Sequence, residues 1–142
     1  MNEELKKWSR LTKRQNEIYH RAAKRAGLPD AQFWLLYALS EEKGPLCQNT
    51  FCSDWCYSKQ TVSTAVAGLC RAGLAGLQFA SGSKKQKDLF LTEAGEDFCR
   101  QHIIPVMEAE CAVLNRFPKE EREQFFGFLE ALLSGISREL EP

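Results

Sequence analysis

Two short helical patterns separated by a very tight link constrain the fold of this chain more than any other feature. The first pattern runs roughly from Gln48 to Trp55, and the second begins at Ser58 and ends at Gly73. Ser58 is a good N-cap because its hydroxyl can accept a first-turn N–H, and glycine suits a helix C-terminus. Two helices joined by so short a link predict a helix-turn-helix.

Two short apolar runs follow the second of these helices. They are residues 74–79 and 88–91, and they flank the sequence SGSKKQK. Apolar runs on either side of a Ser/Gly/Lys tip predict a β-hairpin, although this connection is longer than the tightest hairpin turns. A helix-turn-helix followed by a hairpin is a winged helix.

Helical periodicity extends to both sides of this module. An amphipathic pattern ends near Gly27, and a second helix that is apolar nearly all round follows until residues 43–45 break it. After the hairpin, Thr92 can cap a helix to about Arg116 that Pro105 is expected to kink. Pro118 then opens a last helix. The predicted fold class is mainly α with a small β-hairpin.

The terminal helices carry more apolar surface than a module this small can cover. Residues 1–142 are predicted to form a single domain, with the winged helix-turn-helix at about 29–92. The helices at about 1–28 and 93–142 need a partner for their apolar stripes, and a second copy of the chain is the simplest one. They are therefore predicted to be dimerisation helices.

Composition narrows the class of protein. Apolar residues make up 44% of the chain, which is enough for a normal core, but no run approaches the ~18 residues of a membrane span. The N-terminus lacks an apolar signal core, so the chain is expected to be cytoplasmic, without a membrane partner and with its six cysteines reduced. Phosphate-binding glycine loops, nucleophile elbows and metalloprotease motifs are absent, so the sequence does not favour an enzyme.

The charges are strongly segregated along a neutral chain. Lys and Arg total 19 against 19 Asp and Glu, yet the stretch from Trp55 to Lys87 contains five basic residues and no acidic one. Residues 1–28 carry eight basic and three acidic groups, and residues 93–142 carry five basic and eleven acidic groups. A protein with one basic face can meet a polyanion on that side, although a solvated surface is the simpler interpretation for the terminal segments.

The order and spacing of these segments resemble the MarR family of bacterial transcriptional regulators. The resemblance covers nearly the whole chain and is strongest in SKQTVSTAVAGLCRAGL (58–74), LTEAGEDF (91–98) and FPKEEREQFFGFLEALL (117–133). It implies a homodimer that binds double-stranded DNA, with two recognition helices in successive major grooves. It also implies a repressor that needs no cofactor and recognises a pseudo-palindromic operator.

The resemblance places a set of polar side chains on the DNA-facing start of the recognition helix: Ser58, Lys59, Gln60, Thr61, Ser63 and Thr64. A glutamine can bond adenine bidentately, and lysine can reach guanine or phosphate. The lysines of the wing, Lys84, Lys85 and Lys87, are predicted to bind DNA as well. The family's wing usually carries an Asp-Arg pair where this chain has Ser83-Lys84-Lys85. Because lysine lacks the rigid fork of arginine, the wing is expected to hold phosphate rather than read the minor groove.

Regulation has several candidate sites. Cys47, Cys52 and Cys56 lie close together and could form a redox sensor, but buried core thiols are the commoner alternative, and their spacing is not typical of zinc. Cys70, Cys99 and Cys111 are expected in the core, and no metal site is predicted. In the family a cleft between the first, second and fifth helices and the winged domain receives small effectors, and Trp8, Phe33 and Tyr37 could line it or pack in the core.

The sequence therefore leaves two functions open. The first is a homodimeric repressor that a small ligand or thiol oxidation releases from DNA. The alternative is a winged-helix protein-interaction module, or a metal or redox sensor, that does not read an operator directly.

Overall fold

The computed structural model describes residues 2–141, which fold into seven helices and a small sheet. The helices are α1 (Glu3–Arg25), α2 (Asp30–Glu42), α3 (Gln48–Trp55), α4 (Lys59–Arg71), α5 (Glu93–His102), α6 (Ile104–Leu114) and α7 (Lys119–Leu140). The strands are β1 (Leu46–Cys47), β2 (Ala75–Phe79) and β3 (Lys87–Leu91). The described residues up to 105 form one compact unit, and those from 106 onward form a second.

The core of the first unit is built around α2. Phe33, Leu35 and Leu36 on this helix are completely buried, and Leu39 is almost so. α2 packs against α1, α4, α5 and the strands β1 and β3. This arrangement confirms the prediction, made from its nearly continuous apolar sequence, that the second helix is central.

The sheet has one strand more than the predicted hairpin. β3 is central and pairs antiparallel with β2 on one side and with β1 on the other, where Leu46 lies opposite Leu89. β1 has only two residues, so it is too short to show the alternating pattern by which a strand is recognised. The hairpin itself is present within a residue of each predicted end.

The helix predicted from Glu93 to about Arg116 is two helices. α5 ends at His102 and α6 begins at Ile104, because the chain breaks at Ile103 rather than kinking at Pro105. Proline has no N–H to donate to the carbonyl one turn earlier, so a continuous helix would lose a hydrogen bond at Pro105, whereas proline is well tolerated in the first turn of a new helix. The interruption falls two residues ahead of the proline, at the fully buried Ile103.

The start of α5 is fixed against the end of α4. The Thr92 hydroxyl accepts a hydrogen bond from the Gly95 N–H at 3.0 Å and donates one to the Gly73 carbonyl at 2.7 Å. The Thr92 N–H donates to the Leu74 carbonyl at 3.1 Å. Gly73 has φ 76°, which glycine adopts without strain, and Gly95 lies so close to Leu74 that a Cβ would overlap its carbonyl oxygen.

The second unit lacks a core of its own. None of the described side chains of α6 and α7 is classed as buried. On α7, Phe125, Phe128 and Leu133 are more than half exposed, and Phe128 reaches 69%. Cys111 on α6 is also exposed, so its predicted place in the core is wrong for the single chain, whereas Cys99 is buried.

No helix within residues 2–141 combines the length and the apolar character needed to cross a membrane.

Replacing Gly95 by alanine is expected to destabilise the first unit by about 1–3 kcal/mol, since α5 must move away from Leu74 to admit the methyl group. Urea unfolding followed by circular dichroism measures this loss. Gly44→Ala is the control, because a Cβ there meets nothing nearer than a backbone oxygen at 3.9 Å. Equal stability of the two variants would contradict the close approach of α5 to Leu74.

Candidate nucleic-acid interface

The start of α4 is a well-capped helix terminus. The Ser58 hydroxyl oxygen accepts a hydrogen bond from the Thr61 N–H at 3.1 Å, and the hydroxyl itself lies 2.9 Å from the Thr61 hydroxyl. The capping geometry predicted from the sequence is present. The cap fixes the conformation of the first turn of α4, and with it the positions of the polar side chains there.

α4 is divided cleanly into an apolar and a polar face. Val62, Ala65, Val66 and Leu69 are buried, and they hold the helix on the rest of the unit. The six side chains predicted to contact DNA are all exposed: Ser58, Lys59, Gln60, Thr61, Ser63 and Thr64. Gln60 Nε2 lies 3.4 Å from the Thr64 hydroxyl, a weak contact along the helix surface. The arrangement offers amide, ammonium and hydroxyl groups to an external partner.

The wing tip is ordered by one serine. The Ser83 hydroxyl accepts hydrogen bonds from the N–H groups of Lys85 and Gln86 at 3.2 and 2.9 Å, and Gly82 turns the chain with φ 75°. Lys84 and Lys85 are exposed on this tip. Ser83 thus shapes the loop that presents the two lysines.

Lys87 differs from the two lysines of the tip. It is the first residue of β3, and its Nζ lies 5.3 Å from the centre of the Phe79 ring on the paired strand β2. A cation over an aromatic face is attracted by the ring, so Lys87 is held near the sheet although it is exposed. It extends the basic surface of the wing toward its base.

The three cysteines of the predicted redox site have different environments. Cys47 occupies the N-cap position of α3, Cys52 is half-buried inside the helix, and Cys56 is an exposed residue beyond its end with φ 57°. Because α3 ends at Trp55, the expected helical spacing of Cys52 and Cys56 stops one residue short of Cys56. Within the part of the chain that the structure describes, no cluster of metal-binding side chains occurs.

The Cys47 thiol lies among polar groups. The Thr50 side chain, helped by the backbone N–H groups at the start of α3, lowers the pKa of Cys47 below its ordinary value. Gln86 of the wing donates a hydrogen bond to the Cys47 sulfur at 2.9 Å. The position of Thr50 at the third residue after the cysteine is visible in the sequence, but the contact with Gln86 depends on the unforeseen strand β1.

Asp88 is a residue that the sequence analysis missed. It lies opposite Cys47 in the β1–β3 pair, and its Oδ1 is buried without a hydrogen-bond partner among residues 2–141. Its charge raises the pKa of Cys47, but less than Thr50 lowers it. In sequence, Asp88 is simply the end of the acid-free stretch, so no local signal links it to Cys47.

The three residues predicted for an effector cleft do not line a common cavity among residues 2–141 of this structure. Phe33 is completely buried, as the core alternative predicts, and its ring contacts Tyr37 at 6.3 Å between centroids. Tyr37 is half-buried within an aromatic cluster that includes Trp34 and Trp55. Trp8 lies on α1 outside this cluster, half-exposed. None of the three lines the cavity of about 440 Å³ between α2, β3 and α5.

The comparisons with known proteins agree on the fold. Residues 26–85 match the model of the MarR family. A MarR family regulator from Neisseria meningitidis is similar over 99% of this chain and 97% of its own, with 24% identity and a TM-score of 0.81. MepR from S. aureus, solved as a DNA complex, is similar over 96% and 99%, with 19% identity and a TM-score of 0.72.

A third similar structure is the organohalide-sensing regulator RdhR in its 2,4-dichlorophenol-bound form. The similarity covers 95% of this chain and 82% of RdhR, with 17% identity and a TM-score of 0.68. No curated protein sequence matches the chain significantly. The resemblance to the MarR family is thereby confirmed: residues 26–85 match its model, and the chain has the winged-helix fold of MarR family transcriptional regulators.

Proposed function

We propose that this chain is a DNA-binding transcriptional repressor that acts as a homodimer on a pseudo-palindromic operator. The observation that carries the proposal is the exposed polar face at the start of α4, in the same compact unit as the lysine tip of the wing. A similar protein, MepR, has been solved bound to DNA. No catalytic step is part of the proposed function, and its site of action is the cytoplasm, where bacterial DNA lies.

Base readout is assigned to the first turns of α4. The Gln60 amide can both donate to and accept from an adenine edge, and it has only a weak contact with Thr64 to give up. Lys59 reaches guanine or phosphate, and the Ser63 and Thr64 hydroxyls suit phosphates or base edges. The capped end of α4 contributes the N-terminal partial charge that favours phosphate.

Phosphate binding is assigned to the wing. Lys84 and Lys85 are point charges on a tip that Ser83 holds in shape, and Lys87 continues the positive surface toward the sheet. Such contacts add affinity that depends on salt but carries little sequence information. The sequence preference of the protein is therefore proposed to come mainly from α4.

The dimer is proposed from surfaces that a single chain leaves uncovered. Leu5, Leu11 and Ile18 on α1 are exposed at 43–53%, and the phenylalanines of α7 are exposed at 48–69%. Residues 1–28 have three acidic groups against eight basic ones, whereas residues 93–142 have eleven against five. Two copies can cover these apolar faces and pair their opposite charges, which supports residues 1–142 acting as one dimerising protomer.

Two routes of release from DNA are proposed: binding of a small effector and oxidation of Cys47. In the second, the Cys47 thiolate attacks one oxygen of a peroxide, the O–O bond breaks, and hydroxide leaves to become water. The sulfur is oxidised to a sulfenic acid while the peroxide is reduced. The added oxygen would disturb the hydrogen bond from Gln86, which connects β1 to the wing.

Mobility-shift titration on DNA from upstream of the chain's own coding region tests the DNA-binding proposal. Gln60→Ala is expected to weaken operator binding by about 1–3 kcal/mol and to spare unrelated DNA, because it removes base readout. The Lys84→Ala/Lys85→Ala double variant is expected to weaken binding to every sequence and to flatten the salt dependence.

The matched control is the Lys6→Ala/Lys7→Ala double variant, which removes the same charge from an adjacent pair on α1. A dimer that neutralises about six to ten phosphates should lose roughly 10³–10⁵ in affinity between 50 and 200 mM salt. Binding that ignores salt, or that neither variant changes, would favour the protein-interaction module instead.

Phe128→Asp is expected to weaken dimerisation by about tenfold or more, because burying a phenylalanine contributes roughly 1.5–3 kcal/mol. Sedimentation velocity over a concentration series measures the change. Phe79→Asp, at an exposed phenylalanine of the wing, is the control and should leave the mass unchanged. A wild-type chain that is monomeric at micromolar concentration contradicts the proposed dimer.

Peroxide is expected to abolish operator binding at a rate that rises with pH and levels off at a lower pH than for an unperturbed cysteine, because the lowered pKa of Cys47 allows the thiolate to form at lower pH. Mobility shifts after timed peroxide treatment give this rate. Cys47→Ser should bind DNA and resist peroxide, while Cys56→Ser should remain sensitive. If Cys47→Ser is inactivated as fast as the wild type, Cys47 is not the sensor.

A further inference from the structure

A cavity of about 440 Å³ lies in the first unit, away from the polar face of α4 and from the wing tip. The end of α2 and the following turn form one wall, β3 forms the second, and α5 with Ile104 forms the third. Its volume falls within the range of about 300–1,000 Å³ that small-molecule sites occupy. The cavity is therefore large enough for a ligand of modest size.

Apolar side chains make up most of the wall. Phe90 and Leu91 line it from β3, Leu39 and Pro45 line it from the α2 side, and Ile104 lines it from the start of α6. Two of the polar groups set among them, the Cys99 thiol and the Ser40 hydroxyl, are uncharged at neutral pH. Burial raises the pKa of the Cys99 thiol, and the Ser40 hydroxyl donates to the Leu36 carbonyl at 2.9 Å. This part of the cavity suits an apolar body.

Lys43 and Glu96 add opposite charges to the same lining. Neither side chain forms an ion pair within residues 2–141, with each other or with any other group. Lys43 ends α2 in the left-handed conformation with φ 55°, so its place at the cavity is set by the backbone. Arg100 also lines the cavity, but its guanidinium is paired with Asp97.

We propose that this cavity binds a small zwitterion with an apolar side chain, the chemistry of an apolar α-amino acid. The ligand carboxylate pairs with Lys43, its ammonium pairs with Glu96, and its side chain packs against Phe90, Leu91 and Ile104. An apolar acid or an apolar amine would leave one of the two charges without a partner. A zwitterion is the ligand class that satisfies both charges and the apolar wall together.

The cavity also has a route to the proposed DNA-binding surface, and this part of the inference rests on the proposed function. β3, which supplies Phe90 and Leu91, is the wing strand that begins at Lys87, and α2 packs directly against α4. A ligand that shifts either wall changes how α4 and the wing are held. Occupancy is expected to lower operator affinity by about tenfold, a typical coupling between two sites.

Isothermal titration of the full chain with matched probes tests the ligand class. L-phenylalanine carries both charges, 3-phenylpropanoate lacks the ammonium, and 2-phenylethylamine lacks the carboxylate. L-phenylalanine, L-leucine or L-methionine is expected to bind, and L-phenylalanine at least about tenfold more tightly than either single-charge probe, because each lost charged hydrogen bond costs that much affinity. Absence of binding by all three amino acids, or equal binding of a single-charge probe, overturns the proposal.

Two charge-removing variants assign the contacts. Lys43→Met should weaken L-phenylalanine binding by about tenfold or more and leave the binding of 2-phenylethylamine unchanged. Glu96→Gln should weaken L-phenylalanine binding by a similar factor and leave the binding of 3-phenylpropanoate unchanged. Lys24→Met and Glu93→Gln, at exposed residues that do not line the cavity, are the controls. If the controls weaken binding as much as the cavity variants, the ligand lies elsewhere and the proposal fails.

The mobility-shift assay repeated with saturating ligand separates this inference from the proposed function. If calorimetry detects ligand binding and the ligand weakens DNA binding, both the ligand site and its coupling to DNA are supported. If calorimetry detects ligand binding but DNA affinity is unchanged, the coupling is overturned. If the chain binds no DNA, the regulator proposal fails while the titration still decides whether the cavity takes a zwitterion.

Discussion

Burial of α2 is the constraint on which the rest of the first unit depends. Its apolar side chains face α1, α4, α5 and the sheet at once, so each of these elements is positioned by packing against one helix. The hydrophobic effect has no direction of its own, but a helix that is apolar nearly all round accepts neighbours on every side. α4 can therefore expose its polar start to solvent, because Val62, Val66 and Leu69 bury the opposite face.

The elements that local chemistry specifies were predictable, and those that depend on distant residues were not. α3 and α4 begin and end where Gln48, Ser58 and Gly73 indicate, because caps and turns act within a few residues. β1 was missed because a two-residue strand exists only through its pairing with β3. The environment of Cys47 was missed together with β1, because its neighbours Gln86 and Asp88 lie about forty positions away along the chain. The cavity was missed for the same reason, because Lys43 and Glu96 are far apart in sequence and line it together only in the folded unit.

The presence of lysines and the absence of arginine at the wing tip have a physical meaning. Arginine brings a rigid, planar group that fits a narrow groove, whereas lysine brings a hydrated point charge on a flexible stem. The Ser83 hydroxyl organises the loop by accepting hydrogen bonds from two backbone N–H groups. The tip therefore keeps its shape without a negative charge directly beside Lys84 and Lys85, which would weaken the positive potential there.

Thr92 ties three segments together: its hydroxyl bonds Gly73 after α4, its N–H bonds Leu74 before β2, and it caps α5. The backbone at Gly95 packs directly against Leu74, and even a methyl group would not fit between them. One threonine therefore joins the end of α4, the start of β2 and the start of α5. A displacement of α5 at this junction is expected to displace the C-terminal end of α4 with it, and Gln60 lies at the opposite end of that helix. The close packing that makes this coupling possible depends on a residue without a side chain, Gly95.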